Sequence, residues 1–408
     1  MDNDRLTERL SRVKNLVAKP QHWAKPTAIP PRYERLAGAV GGQLVPAPSG
    51  NYVKVVSIYP FGFEFGSTCL QRPADGSSVA VASYTALECE GEVALGRLLF
   101  IDTETTGLSG AGAVPFLVGC GSLTQAGFEI RQYLLPEYTD EAAMLEQVLA
   151  ELGGDRTLVS YNGAAFDLNL IRDRFIVNRV ARDVPCAGHF DLLHPVRRLF
   201  KRRLNDCSLT SIEREIFGYY RSDDLPGHLI PSVYFDWLQT ESVEFLPAVL
   251  EHNKLDILSL FFLLLHVDSV FRSEGAVLDF AEDIYSLSRV YGRRRRHQAV
   301  IANFETLRRS IGPPLTDEIL LFHSMAFKRQ GDWAGALEIW HKLAEGTGPE
   351  AAVAALELAK HYEHREGDMA LALDNARKAG RLDLSSRQRK LLELRVARLC
   401  RKLAVRTR

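Results

Sequence analysis

Runs of apolar residues separated by turn residues fill the middle of the chain and predict a sheet. Leu98–Ile101 is a continuous apolar run, which is typical of a strand buried on both faces, and it leads directly into two acids. Phe116–Leu123 and Phe128–Leu135 are two further strand candidates, and three strands with short links predict an antiparallel meander. A helix, a strand and a second helix follow, at Asp140–Leu152, Thr157–Tyr161 and Ala165–Asn178. This order predicts an α/β fold, a mixed sheet with helices on its faces.

The segment before this sheet has a weaker pattern. A helical rhythm at Thr7–Ala18 is followed by a proline-rich linker, and Tyr52–Tyr59 and Ser78–Tyr84 alternate like short strands. We therefore predict an N-terminal accessory segment over 1–95 and the α/β domain over 96–273.

The C-terminal third predicts an all-helical domain over 280–408, and it contains an internal repeat. Gln330–Leu337 resembles Glu366–Leu373, and the offset between the two copies is close to the period of tetratricopeptide (TPR) repeats. Such arrays bind proteins, so we expect a TPR-like helical domain with a possible protein partner. The cluster Arg293–Arg296 and the basic C-terminal tail also suit nucleic acid, although a merely solvated basic surface fits them equally well.

Composition narrows the class of protein. The 408 residues suggest two or three domains, and the net charge is −1. The six cysteines are scattered without a C-x-x-C pair, which argues against a disulfide framework and against a structural zinc site. The N-terminus is unlike a signal peptide, and the most apolar run, Ile257–Leu265, is too short to cross a bilayer. We expect a cytoplasmic protein with no membrane association.

Two acids at the end of the first core strand are the strongest chemical signal. Asp102 and Glu104 are two positions apart, so on a strand their side chains point to the same side. Like charges held this close repel, and a cation would relieve the repulsion. Carboxylate oxygens favour magnesium or manganese over zinc. The alternative is a strand end with two solvated acids.

Two more acids stand in positions that allow a functional or a structural reading. Asp167 follows a turn that contains Asn162 and lies in the first turn of a helix, where acids are common for electrostatic reasons alone. His252 and Asp256 lie four apart on one face of the long helix predicted over Ser242–Phe271. A surface His–Asp pair is the alternative, but the apolar run after Asp256 argues that this acid needs a partner.

The segment around Asp191 brings two histidines and an acid together. We interpret Asp191 as the cap of the next helix rather than as a metal ligand. That helix is strongly basic, and it either presents a solvated face or holds phosphates; its cations are Arg197, Arg198, Lys201, Arg202 and Arg203.

The order of the four acids resembles the DEDD family of ribonuclease H-like exonucleases. Asp102–Gly107 matches the opening D-x-E-T-T-G motif, and Asn162 with Asp167 matches the second motif. His252 with Asp256 matches the third. Within this family the chain most resembles the bacterial YprB-type branch. Four segments carry this closer resemblance, which are Asp102–Gly119 with its glycine-rich loop, Asp191–Pro195, Leu225–Tyr234 and His252–Asn253.

This resemblance implies a ribonuclease H-like sheet and hydrolysis of phosphodiester bonds with two bound Mg²⁺ or Mn²⁺ ions. Asp102 would bridge the ions, Glu104 and Asp256 would complete one site, and Asp167 would complete the other. His252 would orient or deprotonate the attacking water, although it stands four residues before the last acid where the histidine subgroup has five. The terminal nucleotide would be contacted by Asn162, Thr105, Thr106 and Gly107.

The leading hypothesis is therefore a metal-dependent nuclease, a 3′–5′ exonuclease acting on single-stranded RNA or DNA. The alternative is a catalytically weak or inactive ribonuclease H-like nucleic-acid-binding protein that acts through its TPR-like repeats. A structure-specific endonuclease is a third, weaker hypothesis.

Overall fold

The computed structural model describes residues 29–80, 91–107, 112–222, 224–309 and 315–406. The helix predicted at Thr7–Ala18 and the end of the strand predicted at Ser78–Tyr84 lie outside these residues.

The described strands are β1 (Gln43–Ala47), β2 (Gly50–Pro60), β3 (Glu64–Phe65), β4 (Thr68–Cys69), β5 (Ser78–Ala80), β6 (Glu92–Ala94), β7 (Leu98–Thr105), β8 (Pro115–Leu123), β9 (Gly127–Leu134), β10 (Thr157–Ser160) and β11 (Gly188–Asp191).

The α-helices alternate with the later strands and then fill the C-terminal part. They are α1 (Pro31–Ala39), α2 (Glu141–Leu152), α3 (Asp167–Val177), α4 (Leu193–Phe200), α5 (Leu209–Phe217), α6 (Ile230–Thr240), α7 (Leu246–Arg272), α8 (Ala281–Arg293), α9 (His297–Arg309), α10 (Asp317–Gln330), α11 (Trp333–Leu343), α12 (Pro349–His361), α13 (Met369–Gly380) and α14 (Ser386–Arg406).

The main sheet has the strand order β1-β2-β9-β8-β7-β10-β11. Strands β7, β8 and β9 form antiparallel neighbours, as the predicted meander requires, and β10 runs parallel to β7. The predicted mixed sheet flanked by helices is therefore confirmed. Parallel pairing requires a crossover connection, and the stretch between β9 and β10 supplies it with α2.

The segment before residue 96 contributes to this sheet. Strand β2 pairs antiparallel with β9 over eight positions, from Val53 opposite Leu134 to Pro60 opposite Gly127. Strand β1 pairs with β2 and forms the edge of the sheet. Residues that the sequence assigned to an accessory segment thus complete the sheet of the α/β domain.

The chain divides into two compact units, the first made of residues 1–63, 96–189 and 221–258. Its core joins the apolar runs of the central strands to the inner faces of α2, α3, α6 and the start of α7. Phe116 on β8 stacks on Tyr234 of α6 with ring centroids 4.2 Å apart, and the Trp237 indole donates to the Pro136 carbonyl. These contacts fix α6 against one face of the sheet.

The second unit consists of residues 64–95, 190–220 and 259–408, and its C-terminal part is all helical, as predicted. The two copies of the sequence repeat have the same local structure. Gly331 and Gly367 end helical segments with φ of 82° and 70°, a conformation that glycine adopts without strain. Asp332 and Asp368 then cap the N-termini of α11 and α13 with their side chains.

Two further expectations concern membranes and cysteines. In the described part of the chain, no helix is long and apolar enough to cross a membrane. None of the cysteines that the structure describes forms a disulfide; they are Cys69, Cys120, Cys186, Cys207 and Cys400.

The second unit, which we call the helical unit, contains a buried histidine that makes the stability of the protein depend on pH. His323 on α10 is fully buried, its Nδ1 lies 2.7 Å from the Ile319 carbonyl oxygen, and its ring stacks on Phe304. Burial lowers the pKa of His323 to about 4, although the contact with Ile319 favours the protonated form. The imidazole is therefore neutral in the folded protein at pH 5, whereas an exposed histidine is mostly protonated at that pH.

We predict that this histidine makes the protein less stable in mild acid. Between pH 7 and pH 5 the unfolded chain takes up a proton that folded His323 does not, so the free energy of unfolding falls by about 2 kcal/mol from this residue alone. Urea denaturation should show that His323→Asn reduces the loss between the two pH values. His194→Asn, at an exposed position of α4, is the control and should leave the loss unchanged. Equal pH dependence in wild type and His323→Asn would contradict the prediction.

Candidate active site

Strand β7 carries two carboxylates, Asp102 and Glu104, where the strand leaves the core. Its residues are buried from Leu98 to Ile101 and half-buried from Asp102 to Thr105. Asp102 lies opposite Gly119 of β8 and Glu104 lies opposite Leu117, so the two acids stand on one side of the same ladder.

The third acid lies in the helix that follows β10, the parallel neighbour of β7. The chain leaves β10 through a turn in which Asn162 has a φ of 66°, and Asp167 is the first residue of α3. Asn162 tolerates this left-handed conformation better than most residues. The hydroxyl of Thr103, which stands between the two acids on β7, donates a hydrogen bond to Asp167. Asp167 is thereby held at the end of β7.

Glycines on β8 allow α7 to approach the sheet closely and bring the fourth acid to the site. A Cβ atom at Gly119 would lie 2.2 Å from Ile257 Cδ1 and 2.3 Å from Asn253 Oδ1, distances that real contacts do not reach. A Cβ atom at Gly121 would meet Ile257 in the same way. Because Gly119 lies opposite Asp102 on β7, this close approach places Asp256 of α7 beside the β7 acids.

A chain of amide side chains orients Asp102. The buried Asn253 Nδ2 donates to Asp102 Oδ2 at 2.8 Å. Asn253 Oδ1 in turn accepts from Gln132 Nε2 on β9 at 2.9 Å. The Gln132 amide also donates to the Leu250 carbonyl at 2.7 Å. Each buried amide is thus engaged by a partner, as buried polar groups require, and one Asp102 oxygen is fixed.

An arginine and a fifth acid complete the group on the α7 side. The Arg221 side chain is 4% exposed and forms ion pairs with Asp256 and with Asp224, the latter at 3.2 Å. His252 Nδ1 lies 2.8 Å from Asp224 Oδ1, and its Nε2 lies 3.8 Å from Asp256 Oδ2. His252 therefore stands between the two carboxylates on this side of the site.

Burial and mutual repulsion dominate the electrostatics of the site. Burial raises the pKa of Asp102 well above its usual value, and the charges of Asp256, Glu104 and Asp167 raise it further. Burial likewise raises the pKa of Glu104, with Asp256, Asp167 and Asp224 adding to the effect and Arg221 opposing it. The four acids singled out in the sequence thus form one electrostatic cluster, which costs free energy in the absence of a compensating cation.

The donor chemistry of this cluster fits a hard divalent cation. Four carboxylates and no thiolate favour Mg²⁺ or Mn²⁺. Within the ranges that the structure describes, however, no group of three or more His, Cys, Asp or Glu side chains has the geometry of a metal site. Arg221 holds Asp256 instead, so a bound ion would have to compete with this guanidinium.

The candidate nucleotide-binding residues lie at the edges of the same site. Thr105 and Thr106 follow a β-bulge directly after Glu104, and the Thr105 hydroxyl donates to the Gly107 carbonyl at 2.8 Å. Thr106 accepts from the Val114 amide at 3.0 Å. Asn162 lies in the turn before Asp167. Their contacts with a nucleotide stay a prediction.

Four residues that lie here have no site role assigned from the sequence, Arg221, Asp224, Asn253 and Gln132, although Asn253 belongs to a segment of the family resemblance. Asn253 had a detectable signal, because it is a polar residue in the row Leu246, Val249, Leu250, Asn253, Ile257, which otherwise faces the core. Arg221 and Asp224 lie in an irregular segment, where no periodicity marks a side chain as inward-facing.

The chain has detectable similarity to known proteins. Residues 99–267 match the family described as the RNase_H superfamily. A protein of Bacillus subtilis (strain 168), described as the uncharacterized protein YprB, is 34% identical over 313 residues, which make up 75% of this chain and 75% of that protein. Among solved structures, the family B DNA polymerase of the archaeon Pyrobaculum calidifontis matches with a TM-score of 0.36 and 14% identity. That match covers 67% of this chain and 36% of the polymerase chain.

We predict that Gly119→Ala destabilises the protein by about 1–3 kcal/mol, since its methyl group would displace Asn253 and Ile257. Gly38→Ala in α1 is the matched control, because a Cβ atom there meets nothing within 4 Å. That control should be neutral or slightly stabilising, since alanine favours the helix. Urea denaturation at pH 7.5 measures both changes. Equal stability of the two variants would show that α7 does not need the glycine.

Neutralising one acid should stabilise the protein when divalent ions are absent. Asp102→Asn keeps an oxygen for Asn253 and removes a buried charge, so we expect the melting temperature in EDTA at pH 8 to rise by roughly 2–6 °C. Added Mn²⁺ should raise the melting temperature of the wild type more than that of the variant.

Asp374→Asn, at an exposed position of α13, is the control for that measurement. This substitution should change neither the melting temperature in EDTA nor the increase in melting temperature that Mn²⁺ causes. An unchanged or lower melting temperature for Asp102→Asn in EDTA would contradict the repulsion argument.

Proposed function

The chain belongs to the YprB family and carries a domain of the RNase_H superfamily, and on this premise we propose that it is a metal-dependent nuclease. The proposed reaction is hydrolysis of phosphodiester bonds in single-stranded RNA or DNA. One observation carries the proposal: Asp102 and Glu104 on one strand, together with Asp167 and Asp256 from distant parts of the chain, repel one another in a single cluster. A protein gains little from such a cluster unless it binds cations there.

In the proposed mechanism these four carboxylates would hold two Mg²⁺ or Mn²⁺ ions, with Asp102 as a ligand of both. Bound ions of this kind supply positive charge for the attacking water and for the leaving oxygen. Asn253 and Gln132 fix the orientation of Asp102, and Thr103 fixes Asp167. These positioning contacts hold the carboxylates in place before substrate arrives.

His252 is the proposed group that orients or deprotonates the attacking water. Its contact with Asp224 supports this role, because Nδ1–H can donate to that carboxylate and leave Nε2 as the proton acceptor. Nε2 lies on the side of Asp256. Asp224 is thus the proposed positioning residue for the imidazole, and Arg221 holds Asp224 in turn.

The finer features of the proposal rest on the motifs. The spacing of Asp102–Gly107, Asn162 and Asp167 supports a DEDD-type exonuclease working in the 3′ to 5′ direction. Thr105, Thr106, Gly107 and Asn162 would contact the terminal nucleotide. We also propose that the C-terminal helices are TPR-like and bind a protein partner, which the matched turns at Gly331 and Gly367 support.

A second candidate function is a nucleic-acid-binding protein without turnover. The contact between Arg221 and Asp256 favours it, because an internal cation there neutralises an acid that the nuclease needs as a ligand.

A cleavage assay with end-labelled strands separates these functions. We predict that the wild type with Mn²⁺ degrades single-stranded RNA or DNA, and that Asp102→Asn lowers the rate at least 100-fold because a shared ligand is lost. Asp374→Asn should retain full activity, as an exposed acid of the helical unit. An exonuclease of the proposed direction shortens 5′-labelled strands progressively and releases the label from 3′-labelled strands as a mononucleotide.

Other outcomes of the assay would overturn parts of the proposal. Absence of cleavage across RNA and DNA with either ion, or equal cleavage by Asp102→Asn, would favour the binding protein. Discrete internal products from both labels would indicate an endonuclease.

A further inference from the structure

The helical unit contains a cationic cleft that the proposed catalytic cluster does not use. Its cavity measures about 280 Å³ and lies between α4, the residues that follow it, and α8. Six of its lining side chains are cationic: Arg197, Arg198, Lys201, Arg202, Arg289 and Arg293. No Asp or Glu lines it among the residues that the structure describes.

The cations of this cleft are poorly compensated by acids. Within the described ranges, Arg202 is the one that has an ion pair, with Glu318 at 2.8 Å, whereas the other five have none. Burial and the charges of Arg198 and Arg296 lower the pKa of Arg294, which follows α8 directly. Arg289 and Arg293 lie four residues apart on α8, and like charges at that spacing destabilise a helix, so this pair costs free energy in the absence of a ligand.

The cleft is also partly preorganised. The apolar side of α4, with Val196, Leu199 and Phe200, is buried, which leaves the cationic side of the same helix exposed. The Tyr285 ring lies 5.0 Å from the Arg202 guanidinium and 5.9 Å from that of Arg289. These cation–π contacts hold two guanidinium groups in the cleft without neutralising them.

We propose that this cleft binds the phosphate backbone of a nucleic-acid strand, as a site separate in function from the carboxylate cluster. Five of its six cations are arginines, whose planar guanidinium groups bind phosphate oxygens in pairs. Cations repeated along two packed helices suit a chain of phosphates better than a single small anion. The choice of nucleic acid among polyanions rests on the proposed function, which supplies a substrate of that class. The site reads no sequence, because backbone contacts carry no base information.

The test measures binding without cleavage, in the full-length Asp102→Asn protein with EDTA. Fluorescence anisotropy with a labelled 20-nucleotide oligothymidine is compared for a cleft variant, Arg198→Gln with Lys201→Gln, and a matched control, Arg309→Gln with Lys342→Gln. The control residues are also an exposed arginine and lysine of the helical unit, so the net charge changes equally.

We expect the cleft variant to bind about tenfold more weakly at 0.1 M salt and the control to change less than twofold. The slope of log affinity against log salt should fall in magnitude by about 1.4 in the cleft variant, the value for two lost phosphate contacts. The exchange Arg198→Lys with Lys201→Arg, which keeps both charges, should retain binding. Circular dichroism and melting temperature verify that each variant is folded.

Three results would overturn the proposal. The first is wild-type-like binding by a folded cleft variant. The second is absence of oligonucleotide binding by the Asp102→Asn protein itself. The third is complete competition by inorganic triphosphate at equal phosphate concentration, which would assign the cleft to a small anion. If the nuclease proposal is wrong, the wild type will not cleave the strands in the cleavage assay. The binding measurement does not depend on cleavage, so the two proposals can fail separately.

Discussion

Repulsion between partly desolvated carboxylates is the constraint around which the candidate site of the α/β domain is arranged. The pKa values of Asp102 and Glu104 are raised because burial and neighbouring acids both oppose their charge. The fold holds this unfavourable group in place through buried hydrogen bonds, such as the amide chain from Gln132 through Asn253 to Asp102. The cationic cleft of the helical unit likewise contains like charges that repel one another, in this case positive charges. In both places like charges stand together without full compensation, and each underlies one of the two proposals, a divalent cation at the carboxylates and a polyanion at the cleft.

Much of the sheet could be predicted because its strands are locally distinctive. Leu98–Ile101 is apolar without interruption, and the strands and helices from Phe116 to Asn178 were found within a few residues of their observed bounds. The strand near Tyr52 was also visible, but its place in the main sheet was not. Pairing of β2 with β9 joins segments far apart in the chain, and no local pattern encodes such a partner.

The candidate site was predictable where its residues belong to short motifs. Asp102 and Glu104 share a strand face, and His252 and Asp256 share a helix face, so spacing alone relates the members of each pair. Arg221 and Asp224 reach the site from an irregular segment, and their role depends on three-dimensional placement. The close approach of α7 depends on Gly119, whose importance is invisible until the helix above it is known.

The pairing of β2 with β9 has a practical consequence for anyone who isolates the α/β domain. A fragment starting at residue 96 would lack the two outer strands and would present the N–H and C=O groups of β9 to solvent. Val53 of β2, fully buried against the sheet, would no longer cover its neighbours. Exposed strand edges recruit other chains, so such a fragment should self-associate or precipitate. The shortest soluble fragment would therefore have to begin upstream of Gln43, whatever its catalytic residues require.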